Sequence, residues 1–267
     1  MKIFKYWTAE KASIDIQGET KYLTAYGGSN ISLEDAARSA RGKMEKVKRK
    51  IDGDRHVFDD YEVEIREEIL QVVDDKTIVT RNRYGAQVMN AENLLFLDID
   101  KPKPAGLGGL FRKNTTEGSK ERIYDMVRKL AGSTAYAGLG FRLYETYQGA
   151  RVIVTGGNFE ARSRETQSLM KEFNVDPLYA SICRKQGCFR ARLTPKPWRM
   201  KMKAYKVRYP REVADIQFDE WLGVYEQASR NYSVCKFIEQ VGTGAGIPEA
   251  VRLHDEVTGV NLHLPLA

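Results

Sequence analysis

Histidine and cysteine are scarce in this chain, with three of each among 267 residues. The cysteines Cys183, Cys188 and Cys235 are an odd, sparse set, which argues against a disulfide framework and fits reduced thiols in a cytoplasmic setting. A closed zinc site would have to join Cys183 and Cys188 to Cys235 and a distant His56, His254 or His263, and compact paired ligands of that kind are missing. Scattered histidines also leave a nucleophilic triad without an obvious base. His254 stands beside Asp255, but adjacent residues on a helix do not share a face, so the pair is not read as a site.

Long apolar runs are missing too. No stretch approaches the length of a membrane span, and "MKIFKYWTAEKAS" lacks the apolar core and cleavage site of a signal peptide. The expectation is a cytoplasmic protein with no membrane partner. The glycine clusters "GLGGLF" and "GTGAG" lack the strand-then-helix setting of a nucleotide loop, and no Gly-Lys-Ser/Thr follows them. Acid is absent from one long segment. Residues 183 to 211 hold eleven Lys or Arg and no Asp or Glu, with Phe189, Trp198, Tyr205 and Tyr209 interleaved. Cations alternating with aromatics suit a phosphate backbone with bases stacked beside it. Arg184, Lys185, Trp198, Arg199, Lys201 and Lys203 are therefore candidate nucleic-acid contacts, in a chain whose formal charge is +7.

What is present is enough apolar side chain, 42% of residues, to bury a sizeable core. "ASIDIQGETKYLTAY" alternates around a turn near Gly18 and reads as a hairpin. Ser32 and Asp35 open a helix on which Leu33, Ala36, Ala40, Met44, Val47 and Ile51 recur at helical spacing. From Tyr61 to Asp100 the pattern becomes a meander of strands, followed by a Pro- and Gly-rich loop from Lys101 to Ser119. A helix near 119–131, two strands meeting around Gln148 and Gly149, two further helices, one or two basic strands and a mostly helical C-terminal part complete the order. The expectation is an α+β fold, a largely antiparallel sheet with flanking helices. Its parts would be 1–60 (hairpin and basic helix), 61–212 (the α+β core) and 213–267 (the helical C-terminal region), with all three in one domain as an alternative.

The sharpest chemical signal is "NLLFLDIDKPKP". Side chains alternate along a strand, so Asp98 and Asp100 share one side while Leu97 and Ile99 take the other. Two same-side carboxylates repel unless a cation intervenes, and Mg²⁺ or Mn²⁺ takes oxygen ligands of this kind.

The order of features from here resembles the archaeo-eukaryotic primase superfamily, including primase-polymerases. The elements are the Asp-x-Asp of "FLDID", then "YETYQGARVIV", then "FNVDPLY", then "CFRARLTPKPW", together covering residues 94 to 200. Gly149 matches the family's glycine, and Arg151 stands where the family has a histidine. The resemblance implies a palm like that of primases and RNA-recognition domains, and metal-assisted nucleotidyl transfer on nucleic acid with nucleoside triphosphates. Asp98, Asp100 and Asp176 would be the catalytic carboxylates that hold Mg²⁺ or Mn²⁺, with Asp215 as the alternative third acid. Arg151, Arg190, Arg192 and Lys196 would grip the triphosphate, and Tyr144 and Tyr147 would offer rings to a base. Two other readings stay open: a DNA- or RNA-binding protein of replication, repair or defence whose acids serve structure alone, and a metal-dependent nuclease.

Overall fold

A computed structural model describes residues 1–16, 18–53, 63–101, 116–207, 209–210, 215–244 and 246–267. His56, Pro102, Lys103, Pro104, Arg208 and Arg211 lie outside the described residues, as do the two expected domain boundaries near 60 and 212 and most of the loop after Lys101.

The fold is α+β with antiparallel sheets. A hairpin of β1 (Tyr6–Ile16) and β2 (Glu19–Ser29) is backed by α1 (Leu33–Ile51). Ser32 caps α1 by accepting from the Asp35 amide, and Ala36, Ala40 and Met44 form its buried stripe. The approach is close: a Cβ on Gly27 would lie 2.1 Å from the Ala40 amide nitrogen, so only glycine lets the helix settle on β2.

The meander is present as β3 (Glu68–Val72), β4 (Thr77–Arg81) and β5 (Gln87–Ala91). The next strand, β6 (Leu95–Asp100), leaves it for a second sheet. There β6 pairs with β8 (Gly149–Thr155), which pairs with β7 (Gly140–Thr146). Leu95, Phe96, Leu97 and Ile99 are all buried although they alternate in direction, so both faces of β6 are covered. A continuous apolar run is what such a strand requires.

The second sheet lies between helices. On one face α2 (Thr116–Ala131) rests against β7 and β8 through Ile123 and Val127, tied by an ion pair of Lys120 with Glu145. On the other face α6 (Glu249–Thr258) sets His254 against the rings of Phe96 and Tyr144. The remaining α-helices among the described residues are α3 (Arg164–Glu172), α4 (Pro177–Gln186) and α5 (Ile216–Ser229).

One expectation is corrected. The C-terminal part is not mostly helical: Cys235–Gly242 forms strand β10, which fills the open edge of β7. A free sheet edge rewards any extended run of fitting side chains, and this long-range partner outweighs local helical preference. The basic segment, expected to form one or two strands, forms one among its described residues, β9 (Phe189–Arg192), paired with β5. Pro195 and Pro197 cannot donate to a ladder, and the chain bends into a 3₁₀ turn over Pro197–Met200. Among the described residues, no helix is long and apolar enough to cross a membrane.

Candidate active site

The pairing register of β6 with β8 assembles the centre of the site. Asp98 stands opposite Arg151 and Asp100 opposite Gly149. A Cβ on Gly149 would sit 2.0 Å from the Ile99 carbonyl oxygen, so glycine is what allows β8 to begin so close to the end of β6. Arg151 donates from Nε to Asp98 Oδ1 at 2.8 Å and from Nη2 to Oδ2 at 3.2 Å, a two-pronged pair that fixes the carboxylate in plane.

Asp176 joins these acids from α4. Its amide donates to the Asp98 carbonyl at 3.3 Å, and its Oδ1 accepts from the Leu178 and Tyr179 amides as the helix cap. The other candidate third carboxylate, Asp215, caps α5 through the Phe218 amide and accepts from the Tyr205 hydroxyl at 2.7 Å. The fold thus sets Asp176, and not Asp215, against Asp98.

Cations come from the chain after β9. Asp100 is an exposed residue at the strand exit, with its carboxyl partly covered. Partial burial pushes its pKa up, Asp98 and Asp176 push it further, and Lys196 and Arg199 pull it back. Lys196 is pushed down, first by burial, then by Arg192 and Arg199, with Asp100 and Asp98 opposing. Arg192 is pushed down by burial and by Arg151 and Arg199. Arginine nevertheless stays charged in proteins, so Arg192, Lys196 and Arg199 maintain positive potential beside three carboxylates.

Of the four residues expected to grip phosphate, Arg192 and Lys196 belong to this group. Arg151 lies behind it, 3% exposed, with its guanidinium engaged by Asp98 and by the Arg192 carbonyl at 2.9 Å. Arg190 is drawn away to Glu67 at 2.6 Å. Arg184 and Lys185 are exposed at the far end of α4 from Asp176, on the order of 15 Å along a helix of this length. Trp198, Lys201 and Lys203 are exposed beyond Lys196. Tyr147 is 47% exposed, but Tyr144 is fully buried and offers no face to a base. It points under the sheet because alternation along β7 puts it beside Arg151.

Behind Asp98 runs a buried polar chain that sequence reasoning missed. Arg151 Nη1 lies 3.3 Å from His254 Nε2, and His254 Nδ1 lies 3.0 Å from Asp255 Oδ1. Asp255 accepts from the Tyr144 hydroxyl at 2.7 Å and from Arg142 Nη2 at 2.6 Å. A guanidinium can only donate, so Nε2 must accept and the imidazole proton sits on Nδ1, donated to Asp255. Burial holds His254 below its ordinary pKa, against the pull of Asp255. Burial pushes Asp255 up, but His254, Tyr144 and Arg142 outweigh it and leave the carboxyl below the usual range. The neighbours on α6 therefore do meet. The helical spacing of Ala250, Val251, His254 and Thr258, all buried, was the signal that His254 faces inward.

Among the described residues, no group of three or more His, Cys, Asp and Glu is placed so that it could hold a metal ion. Comparison of the chain with protein-family models, with curated proteins and with solved structures found no match.

Proposed function

We propose that this chain is a metal-dependent nucleotidyltransferase of the primase-polymerase kind, acting on nucleic acid with nucleoside triphosphates. One observation carries the reading: Asp98, Asp100 and Asp176 are gathered within electrostatic reach of Lys196 and Arg199, and Asp100 is exposed. Like charges held together at a surface, with cations alongside, suit a ligand that carries both signs. A divalent ion with a triphosphate is such a ligand.

The residues fit Mg²⁺ or Mn²⁺ in a particular way. Mg²⁺ is commonly held by one or two carboxylates plus substrate phosphates, with no all-protein cage, so Asp100 with Asp98 or Asp176 suffices once phosphate oxygens arrive. An ion bound there would activate a hydroxyl nucleophile and neutralise charge developing on the phosphoryl group. Lys196, Arg199 and Arg192 bind the triphosphate oxygens. Arg151 acts as the counter-ion that orients Asp98, and His254 and Asp255 hold Arg151. A cytoplasmic setting belongs to the same proposal, supported by three cysteines that are all buried free thiols.

The test is incorporation of labelled ribo- and deoxyribonucleotides on primed and unprimed templates with Mg²⁺ and Mn²⁺. Activity that is lost in Asp100→Asn supports the proposal, and absence of incorporation by the wild type in every combination refutes it. A second reading, nucleic-acid binding without catalysis, is favoured by the closure of both Asp98 oxygens on Arg151. It expects the Asp98→Asn, Asp100→Asn double variant to keep full nucleic-acid affinity and biological function.

A further inference from the structure

Around the acids, three rings are set with cations against them. Arg199 places its guanidinium 4.5 Å from the centre of the Tyr147 ring, and Lys196 its ammonium 5.6 Å from that of Trp198. Tyr84 meets Trp198 edge-on at 5.2 Å and carries Arg83 at 4.9 Å. Trp198 is 48% exposed and Tyr147 47%. Single exposed aromatics are ordinary on protein surfaces. These two are linked through Arg199, which follows Trp198 in the chain, covers Tyr147, bonds Gln148 Oε1 at 3.2 Å and acts on Asp100. The strip Tyr84, Trp198, Arg199, Tyr147 therefore passes beside the exit of β6.

We propose that Trp198 and Tyr147 form a stacking platform for single-stranded nucleic acid, whose backbone follows Lys196, Arg199 and the exposed Lys201 and Lys203. Charge complementarity favours a polyanion, because Lys196, Arg199, Lys201 and Lys203 follow one another along the chain with no Asp or Glu among them. Ring faces favour an unpaired strand. Bases in a duplex are stacked on one another and cannot cover a protein ring, whereas splayed bases can, whatever their sequence. The platform deepens the nucleotidyl-transfer reading by naming the strand type at that site, yet binding needs neither metal nor nucleotide and is tested without them.

The experiment is fluorescence titration of the whole protein with a single-stranded thymidine oligonucleotide, an abasic oligonucleotide of equal length and a duplex, in EDTA. Trp7 is buried, and Trp221 is partly buried with its ring stacked on Tyr225 at 5.0 Å, so Trp198 is the tryptophan with a half-exposed ring, and Trp198→Phe separates its share of the quenching from that of Trp221 while retaining a ring. The expected results are quenching by the single strand, weaker binding of the abasic strand and of the duplex, and losses of about five- to hundredfold in affinity for Trp198→Ala and for Tyr147→Ala. Both rings are half exposed, so an unchanged thermal midpoint confirms that these variants fold. Equal affinity for the abasic strand, tighter binding of the duplex, or no binding of any oligonucleotide overturns the platform. Incorporation assays fail independently of this outcome, so the two proposals are separable.

Discussion

Replacing Arg151 by methionine tests the linkage between the acids and the buried network. Arg151 is 3% exposed, bonds both Asp98 oxygens and the Arg192 carbonyl, and faces His254 Nε2. Removing one partner of a buried pair costs about 3–5 kcal/mol, because the other charge is left uncompensated. Asp98 keeps 34% of its side chain in solvent, so water takes up part of that loss and about 3 kcal/mol is expected. At about 2–4 °C per kcal/mol the midpoint should fall by about 6–12 °C in thermal unfolding followed by circular dichroism. A pH series adds a second readout. His254 is depressed in the folded protein, so the unfolded chain takes up its proton first as pH falls. Its contribution is complete above the unfolded value of 6.5 and is lost below it. Without the Arg151 charge the imidazolium becomes easier to form beside Asp255, and the acid-side loss should shrink. A midpoint within about 2 °C of wild type, with an unchanged pH slope, would refute the coupling.

Gly149→Ala must displace β8 or β6, since its Cβ would lie 2.0 Å from the Ile99 oxygen; a loss of about 1–3 kcal/mol is expected in urea unfolding. Asp100→Asn should raise the midpoint at pH 7 without metal. The Asp100 pKa is raised in the fold, so its stabilising contribution exists at low pH and is gone once pH has risen through the folded value. Asp176→Ala should cost about 0.5–2 kcal/mol through the lost cap of α4, whereas Asp176→Asn keeps an acceptor oxygen and should cost less, yet weaken Mn²⁺ binding measured by titration calorimetry.

Much of the core was legible because it rests on local rules. The Ser32 cap, the middle of the α1 stripe at Ala36, Ala40 and Met44, the apolar run of β6 and the turn between Thr146 and Gly149 each follow from spacing of neighbouring residues, whereas Leu33 and Ile51 at the ends of the stripe are exposed. What escaped depends on distant partners. β10 is a strand because β7 offers an edge almost a hundred positions earlier in the chain. At the site, alternation correctly put Asp98 and Asp100 on one side. It could not show that Arg151 faces inward to Asp98 or that Arg190 turns to Glu67, since both outcomes depend on which element covers the strand. The rule that neighbouring helical positions do not share a face holds for an exposed helix surface and does not cover His254 and Asp255. Where a helix lies flat on a sheet, the two side chains can enter the same polar gap from adjacent angles.

The most direct test of the central claim is the thermal midpoint of wild type and Asp100→Asn with Mn²⁺, with a nucleoside triphosphate and with both. A ligand that binds only the folded state must raise the midpoint. The expected result is a rise in wild type with both ligands that exceeds the sum of the separate rises, and no such excess in Asp100→Asn. A wild type indifferent to the pair, or an Asp100→Asn variant that responds equally, would contradict a metal-nucleotide site at the end of β6.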